Sequence, residues 1–359
     1  MKRIDELDPN MAIVNRIEDE EVEWIPARGG KLAIEGLYMG EDGPFRRMPS
    51  EVTARVSEGV AQLALCTAGG RARFVTDSPY VAVRVALTNN LRMNHMAFTG
   101  ICGFDMYVRR APGDYVFRGA FRPPVDVCEG YDSRLTLPGG LCEVQINFPL
   151  YSGVAALSIG IKRGSRLELP DAYAHKKPVL YYGSSITQGG CASRPGNSYQ
   201  AIIGRMLDCD YINLGFSGNA KGEPAMAEYI AGQDMSVFVC DYDHNAPSCE
   251  HLAATHRPLY ETVRARNADL PIIFVTRPDV DWHADEAAQS DEVRRRLDIV
   301  RATYEYARAQ GDERVAFIDG ADLFAGDMRD NCTVDGSHPN DLGFMRMARV
   351  IGAEVEKWL

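Results

Sequence analysis

The stretch PVLYYGSSITQGG, residues 178–190, decides the fold. A short apolar run, Val179 to Tyr182, ends on a Gly-rich turn, and Tyr199, Ile202, Ile203, Met206 and Leu207 then form a stripe. Apolar residues three and four apart share one face of a helix. The same unit recurs toward the C-terminus. YINLGF (211–216), MSVFVC (235–240), PIIFVT (271–276) and RVAFID (314–319) read as buried strands. Helical stripes recur at Val293, Leu297, Val300, Tyr304 and Ala307, and at Leu342, Met345, Ala348, Ile351 and Val355. Strand then helix, repeated, predicts a three-layer α/β/α domain of about five parallel strands. It spans 178–359.

Toward the N-terminus the period falls to two. Val81, Val83, Val85 and Leu87 share a face in YVAVRVAL, as do Val144, Ile146 and Phe148 in CEVQINF and Leu157, Ile159 and Ile161 in ALSIGIK. Turn residues separate these runs: Gly69-Gly70, Pro112-Gly113-Asp114 and Pro138-Gly139-Gly140. Alternation with frequent turns predicts an antiparallel β-sandwich. We place it over 31–168, after a lead-in over 1–30 and before a linker over 169–177.

A net charge of −11 disfavours nucleic acid and anionic lipid, both of which require a basic surface. No long apolar run predicts a membrane span. The opening MKRIDELDPNM is polar, and the nine cysteines lack paired spacing. Reduced thiols and a cytoplasmic location follow as expectations. The composition leaves a homo-oligomer open.

In a parallel α/β sheet, functional groups gather on loops at the carboxyl ends of the strands. Four such loops are polar here: GSSITQGG with Ser185, NLGFSGNA with Gly218, CDYDHNAP with His244 and Asn245, and CTVDGSHPN with Asp335 and His338. Pro339 suits the first turn of the last helix. Acyl transfer by serine needs an imidazole to take the hydroxyl proton, a carboxylate to orient that imidazole, and donors for the oxyanion. The four loops hold a candidate for each part. A phosphate-binding reading of GSSITQGG lacks the required lysine.

These blocks, in this order, resemble the SGNH (GDSL-like) hydrolase superfamily over 178–359, and the implied fold is flavodoxin-like. The resemblance implies Ser185 as nucleophile, His338 as base and Asp335 as its carboxylate. It implies an oxyanion hole from the N–H groups of Ser185 and Gly218 and the Asn245 amide. One departure is visible: Ser184 stands where the family carries Asp, so altered hydrogen bonding beneath the nucleophile is expected. GFDMY, residues 103–107, resembles the GxDLY signature of a sandwich domain found ahead of some SGNH esterases. Hydrolysis of short acyl esters, acetylated carbohydrates among them, is the implied activity, with no cofactor or metal. An acyltransferase using the same triad and a non-catalytic carbohydrate-binding protein are the alternatives.

Other residues carry two readings each. His244 lines the pocket or is a solvated loop residue, and Asp241 and Asp243 brace their loop. Trp282 and His283 rim the pocket. Arg277 binds an anionic substrate group or forms a structural ion pair. Asp105 and Tyr107 support their own sandwich or reach the neighbouring active site as substrate-binding residues. His251 and His256 read as surface residues, misaligned for a metal. Cys191 reads as a packed thiol.

Overall fold

Alternating side chains fold the N-terminal half into two antiparallel sheets. The computed structural model describes residues 4–13, 16–89, 91–112, 114–278 and 287–359. Its first ten strands are β1 (Val22–Pro26), β2 (Ala33–Glu35), β3 (Arg71–Thr76), β4 (Tyr80–Leu87), β5 (Phe104–Ala111), β6 (Asp114–Phe121), β7 (Gly130–Thr136), β8 (Cys142–Asn147), β9 (Val154–Lys162) and β10 (Leu167–Glu168). One sheet runs β1-β9-β4-β7; the other runs β10-β3-β8-β5-β6, with β2 also on β3. Val83, Val85 and Ile159 from the first sheet and Phe74, Val144 and Ile146 from the second belong to one buried cluster. Strand β1 pairs with β9 from Val22 onward, so the sandwich starts before Lys31.

Burial of the second sheet departs from simple alternation. Arg71, Arg73, Asp105, Gln145 and Asn147 are buried beside the apolar set. The sheet is covered on both faces, and its polar face forms the seam with the C-terminal domain. There Arg71 pairs with Asp210 and Arg109 with Asp208. Arg47, also buried, donates to the carbonyls of Asn213 (3.1 Å) and Gly215 (2.6 Å) and lies over the Phe216 ring.

The C-terminal sheet contains β11 (His175–Gly183), β12 (Cys209–Gly215), β13 (Val237–Asp241), β14 (Ile272–Val275) and β15 (Val315–Ile318), all parallel in the order β12-β11-β13-β14-β15. Alternate residues of β11 face opposite layers. Val179 and Tyr181 share a buried cluster with the helices Tyr199–Leu207 and Asp341–Glu356. Leu180 and Tyr182 share another with Pro224–Ala231 and Cys249–Arg266. That second layer also takes Met48, Val60 and Ala64, at or beside two helices of the N-terminal half, Ser50–Val56 and Glu58–Leu63. Burying a side chain such as Val60 stabilises by about 1.5–3 kcal/mol. The two halves are therefore interleaved, and the stretch 169–177 is packed chain: β11 begins at His175, and Tyr173 is buried under Arg73.

Asp105 of the GFDMY string sits at the centre of the seam. It is fully buried and accepts from Asn147 Nδ2 (2.7 Å), Gly196 N (2.9 Å) and Arg194 Nη1 (2.8 Å). Tyr107, nearly buried, contacts the same guanidinium. Removing one partner of a buried charged network leaves the others unsatisfied. Asp105→Ala is therefore expected to lower the unfolding free energy by about 3 kcal/mol. Urea denaturation checks this, and a loss below about 0.5 kcal/mol, the range of an ordinary surface substitution, would remove Asp105 from the seam.

Candidate active site

Three strand-end loops and the turn before the last helix meet at the carboxyl edge of the sheet. β11 ends at Gly183, whose added Cβ would fall 2.1 Å from Thr187 Oγ1 and 2.2 Å from the Asp241 carbonyl, so only glycine lets the chain turn there. A one-turn helix, Ser185–Gln188, follows, and Ser184 Oγ caps it by accepting from Ile186 N at 3.1 Å. At the far end, Asn340 caps the helix Asp341–Glu356 by accepting from Leu342 N and Gly343 N. The helix thus starts two residues beyond Pro339, because the intervening Asn340 side chain serves its free N–H groups.

Between those ends runs a chain of hydrogen bonds. Ser185 Oγ lies 2.9 Å from His338 Nε2, and His338 Nδ1 lies 2.8 Å from Asp335 Oδ2. Asp335 Oδ1 also accepts from the backbone N–H of His338 (2.8 Å) and Ser337 (3.1 Å). Burial alone would raise the Asp335 carboxyl, but the bonds from the His338 backbone and ring outweigh it and hold the pKa at about 2. A carboxylate so fixed favours the tautomer with a proton on Nδ1 and a lone pair on Nε2.

Gln188 ties the neighbouring loops to this chain. Its amide donates to Leu150 O of the sandwich half (3.2 Å) and accepts from Ser217 N (3.0 Å). Gly218 follows with φ +67°, a conformation open to glycine and costly for other residues. Asn245 Nδ2 donates to Phe216 O at 2.8 Å, drawing the third loop onto the second. Its NH₂ carries a second donor.

The GDSL-like lipase/acylhydrolase family matches residues 176–356, half of the chain. The chain belongs to that family. Residues 22–167 match the GxDLY family, described as the N-terminus of SGNH-hydrolase-type esterases. Among solved structures, a putative GDSL-like lipase from Bacteroides ovatus is 27% identical with a TM-score of 0.85, over 94% of this chain and 97% of that one. A salicylyl-acyltransferase from a tetracycline biosynthetic pathway shares the fold at 20% identity and TM-score 0.76, over 95% and 98%. An acetyl xylan esterase from Butyrivibrio proteoclasticus does so at 12% and 0.58, over 94% and 98%. No curated protein sequence matches the chain. The protein is an ester hydrolase of the SGNH type. No helix among the described residues is long and apolar enough to cross a membrane.

Within this GDSL-like hydrolase the remaining expected residues separate. His244 is beside the site, with Nε2 3.3 Å from Ser337 Oγ. Burial, then the Arg277 and His338 charges, push its pKa down to about 3, so its ring stays neutral. The backbone N–H of Arg277 donates to Asp243 Oδ2 at 3.2 Å. Asp241 and Asp243 are buried, and burial first of all raises both carboxyls. Asp241 accepts from Thr187 and Tyr199 beneath the helix Ser185–Gln188. Of the two readings of Asp105 and Tyr107, their hydrogen bonds favour the supporting one: both hold Arg194 at the seam. Trp282 and His283 lie outside the described residues.

His256 corrects another expectation. It is buried, with Nδ1 2.9 Å from Thr303 Oγ1 and its ring stacked on Tyr242. Its helix buries Leu252, His256, Tyr260 and Val263, so the histidine shares the apolar stripe. Its four-residue spacing to Leu252 and to Tyr260, rather than its spacing to His251, is the sequence signal that places it inside. His251 is half-buried, its Nε2 2.8 Å from Lys221 O.

Two residues that sequence reasoning passed over also reach the site. Tyr151 of the sandwich half donates to Ser185 O at 3.3 Å. His95 packs edge-on against His338, ring centroids 5.3 Å apart. Neither sits in a motif. Beside Tyr151, Asn89, Arg92, Met93 and Gln62 line a cleft of about 410 Å³ with Ser217 and Asn219.

Burial pushes the His256 pKa down to about 3. A folded pKa below the unfolded one gives stability that is whole above about 6.5 and declines toward about 3 as the unfolded chain takes up the proton. Asp241 and Asp243, raised on folding, act with the opposite sign, so the comparison must be made between variants. We expect wild type to lose stability relative to His256→Leu as pH falls from about 6.5 to about 3. Parallel unfolding curves across that window would contradict a neutral, buried His256.

Proposed function

We propose that this hydrolase cleaves short acyl esters through a Ser185 acyl-enzyme, with acetylated carbohydrates as the substrate class. The observation that carries the reading is the continuous chain from Ser185 Oγ through the His338 ring to Asp335, with links of 2.9 and 2.8 Å. A serine hydroxyl is a weak nucleophile until a base takes its proton. His338 Nε2 accepts that proton as Ser185 Oγ attacks the ester carbonyl. Asp335, ionised at any working pH, stabilises the imidazolium. The oxyanion then meets the N–H groups of Ser185 and Gly218 and the second amide N–H of Asn245. His338 returns the proton to the departing alcohol, and water, deprotonated by the same ring, releases the acid.

Support for a hydroxyl-rich alcohol comes from the adjoining cleft, where Asn89, Gln62, Arg92 and Asn219 supply hydrogen-bonding groups beside Leu63 and Met93. The acetyl xylan esterase among its fold neighbours is, as its name says, an enzyme of acetylated carbohydrate. Transfer to an alcohol instead of water would use the same catalytic groups. A purely binding role is disfavoured by the intact hydrogen-bond chain.

Ser185→Ala is expected to abolish turnover of p-nitrophenyl acetate while leaving the circular dichroism spectrum and melting temperature near wild type. Asn245→Ala is expected to lower kcat by about 10²–10³ with a small change in KM. A rate within a few-fold of wild type would take Asn245 out of the oxyanion hole. Product analysis with acetylated sugars checks the substrate class: no acetate release from any sugar ester by a preparation that turns over p-nitrophenyl acetate would count against carbohydrates.

A further inference from the structure

We infer that His95, Cys191 and His338 form a zinc site that, when filled, switches the hydrolase off. One ligand atom from each residue lies within 4.8 Å of the other two. The three come from separate parts of the chain: His95 from the sandwich half, Cys191 from the turn after the nucleophile helix, and His338 from the turn before the last helix. Two imidazoles and a thiol are a borderline-soft donor set, suited to zinc rather than to magnesium or calcium.

Each ligand has a feature that fits this role. His95 Nδ1 is buried with no hydrogen-bond partner among the described residues. Cys191 is buried and held at φ +76°, an uncommon backbone conformation for a residue with a Cβ. Such strain, of order 1–3 kcal/mol, is retained where the surroundings impose it and is found at functional sites. His338 already has the outer partner of a zinc-binding imidazole: its Nδ1 donates to a carboxylate, which fixes the ring and makes Nε2 more basic. Metal–ligand bonds of about 2.0–2.3 Å would bring the three atoms about 3.3–3.7 Å apart, so the site closes by about 1 Å. Small side-chain rotations supply that movement.

The consequence follows from one lone pair. In the free enzyme the Nε2 lone pair of His338 accepts from Ser185 Oγ–H. Zinc would take the same lone pair, so the ring can no longer accept the serine proton. Binding also releases the Cys191 thiol proton to solvent. The fourth position of a tetrahedral ion is left for water or Ser185 Oγ. The inhibitory consequence rests on the esterase reading; the metal site itself does not.

Titrating the metal-free chain with zinc chloride in a calorimeter, and following p-nitrophenyl acetate turnover over the same range, tests both parts. Wild type is expected to take up one zinc per chain, with turnover falling in step with occupancy. Cys191→Ser and His338→Asn are each expected to weaken uptake by at least about 100-fold, the upper end of what loss of an outer-shell partner costs. If Cys191→Ser fails to fold, His95→Gln carries the same expectation. Absence of saturable uptake by wild type, or uptake unchanged in the variants that fold, would overturn the site. Uptake that leaves turnover intact would overturn the switch. A metal-free enzyme without turnover would refute the esterase reading alone, since calorimetry still decides the site.

Discussion

The bond between Ser185 Oγ and His338 Nε2 joins residues 153 positions apart, and the organisation of the C-terminal half serves to make it. A hydroxyl and an imidazole meet at 2.9 Å only if the turn after β11 and the turn before the last helix are fixed independently. Gly183 and the Ser184 cap fix the first. The Asn340 cap and the two N–H groups on Asp335 fix the second. The helices Tyr199–Leu207 and Asp341–Glu356 bury Tyr199, Ile202 and Ile203 and Phe344, Ala348 and Ile351 in one cluster on one face of the sheet, which holds both turns in register. Parallel order β12-β11-β13 puts the Gly218 and Asn245 loops on either side of Ser185.

The sandwich half takes part in the same constraint. Its helices complete one layer of the α/β domain, its Tyr151 and Leu150 reach the helix Ser185–Gln188, and its Asp105 holds Arg194 and Gly196 in the segment that follows. The GFDMY motif is therefore best understood as an architectural one. Its carboxylate is buried at the seam and organises the loop beyond Ser185 from behind. The seam carries ion pairs as well as apolar contacts, with Arg71, Arg109 and Arg194 each paired to an acid. Breaking any of these pairs would leave a desolvated charge, so the two halves are held in one relative placement.

Much of this was legible in the sequence because local period reports local burial. The five strands of the parallel sheet read directly from apolar runs, and the four polar loops fell where a parallel sheet gathers its chemistry. What escaped depends on contacts between distant segments. Strand β1 is only five residues long, and its adjacent Trp24 and Ile25 break the alternation that would announce a strand before it pairs with β9. Gln145 and Asn147 look solvent-facing by alternation, yet the second domain covers them. His256 stands five residues from His251, but its neighbours on the buried face of the helix are Leu252 and Tyr260. His95 and Cys191 have no motif, and only folding brings them to His338.

The claim on which the account rests is that Ser185 is the residue that takes the acyl group. Labelling the native enzyme with a fluorophosphonate, digesting it and locating the adduct by mass spectrometry tests this most directly. The account predicts a single adduct on Ser185 Oγ, formed at a rate that collapses in His338→Asn. An adduct on another serine, or no adduct in a preparation that turns over esters, would contradict it.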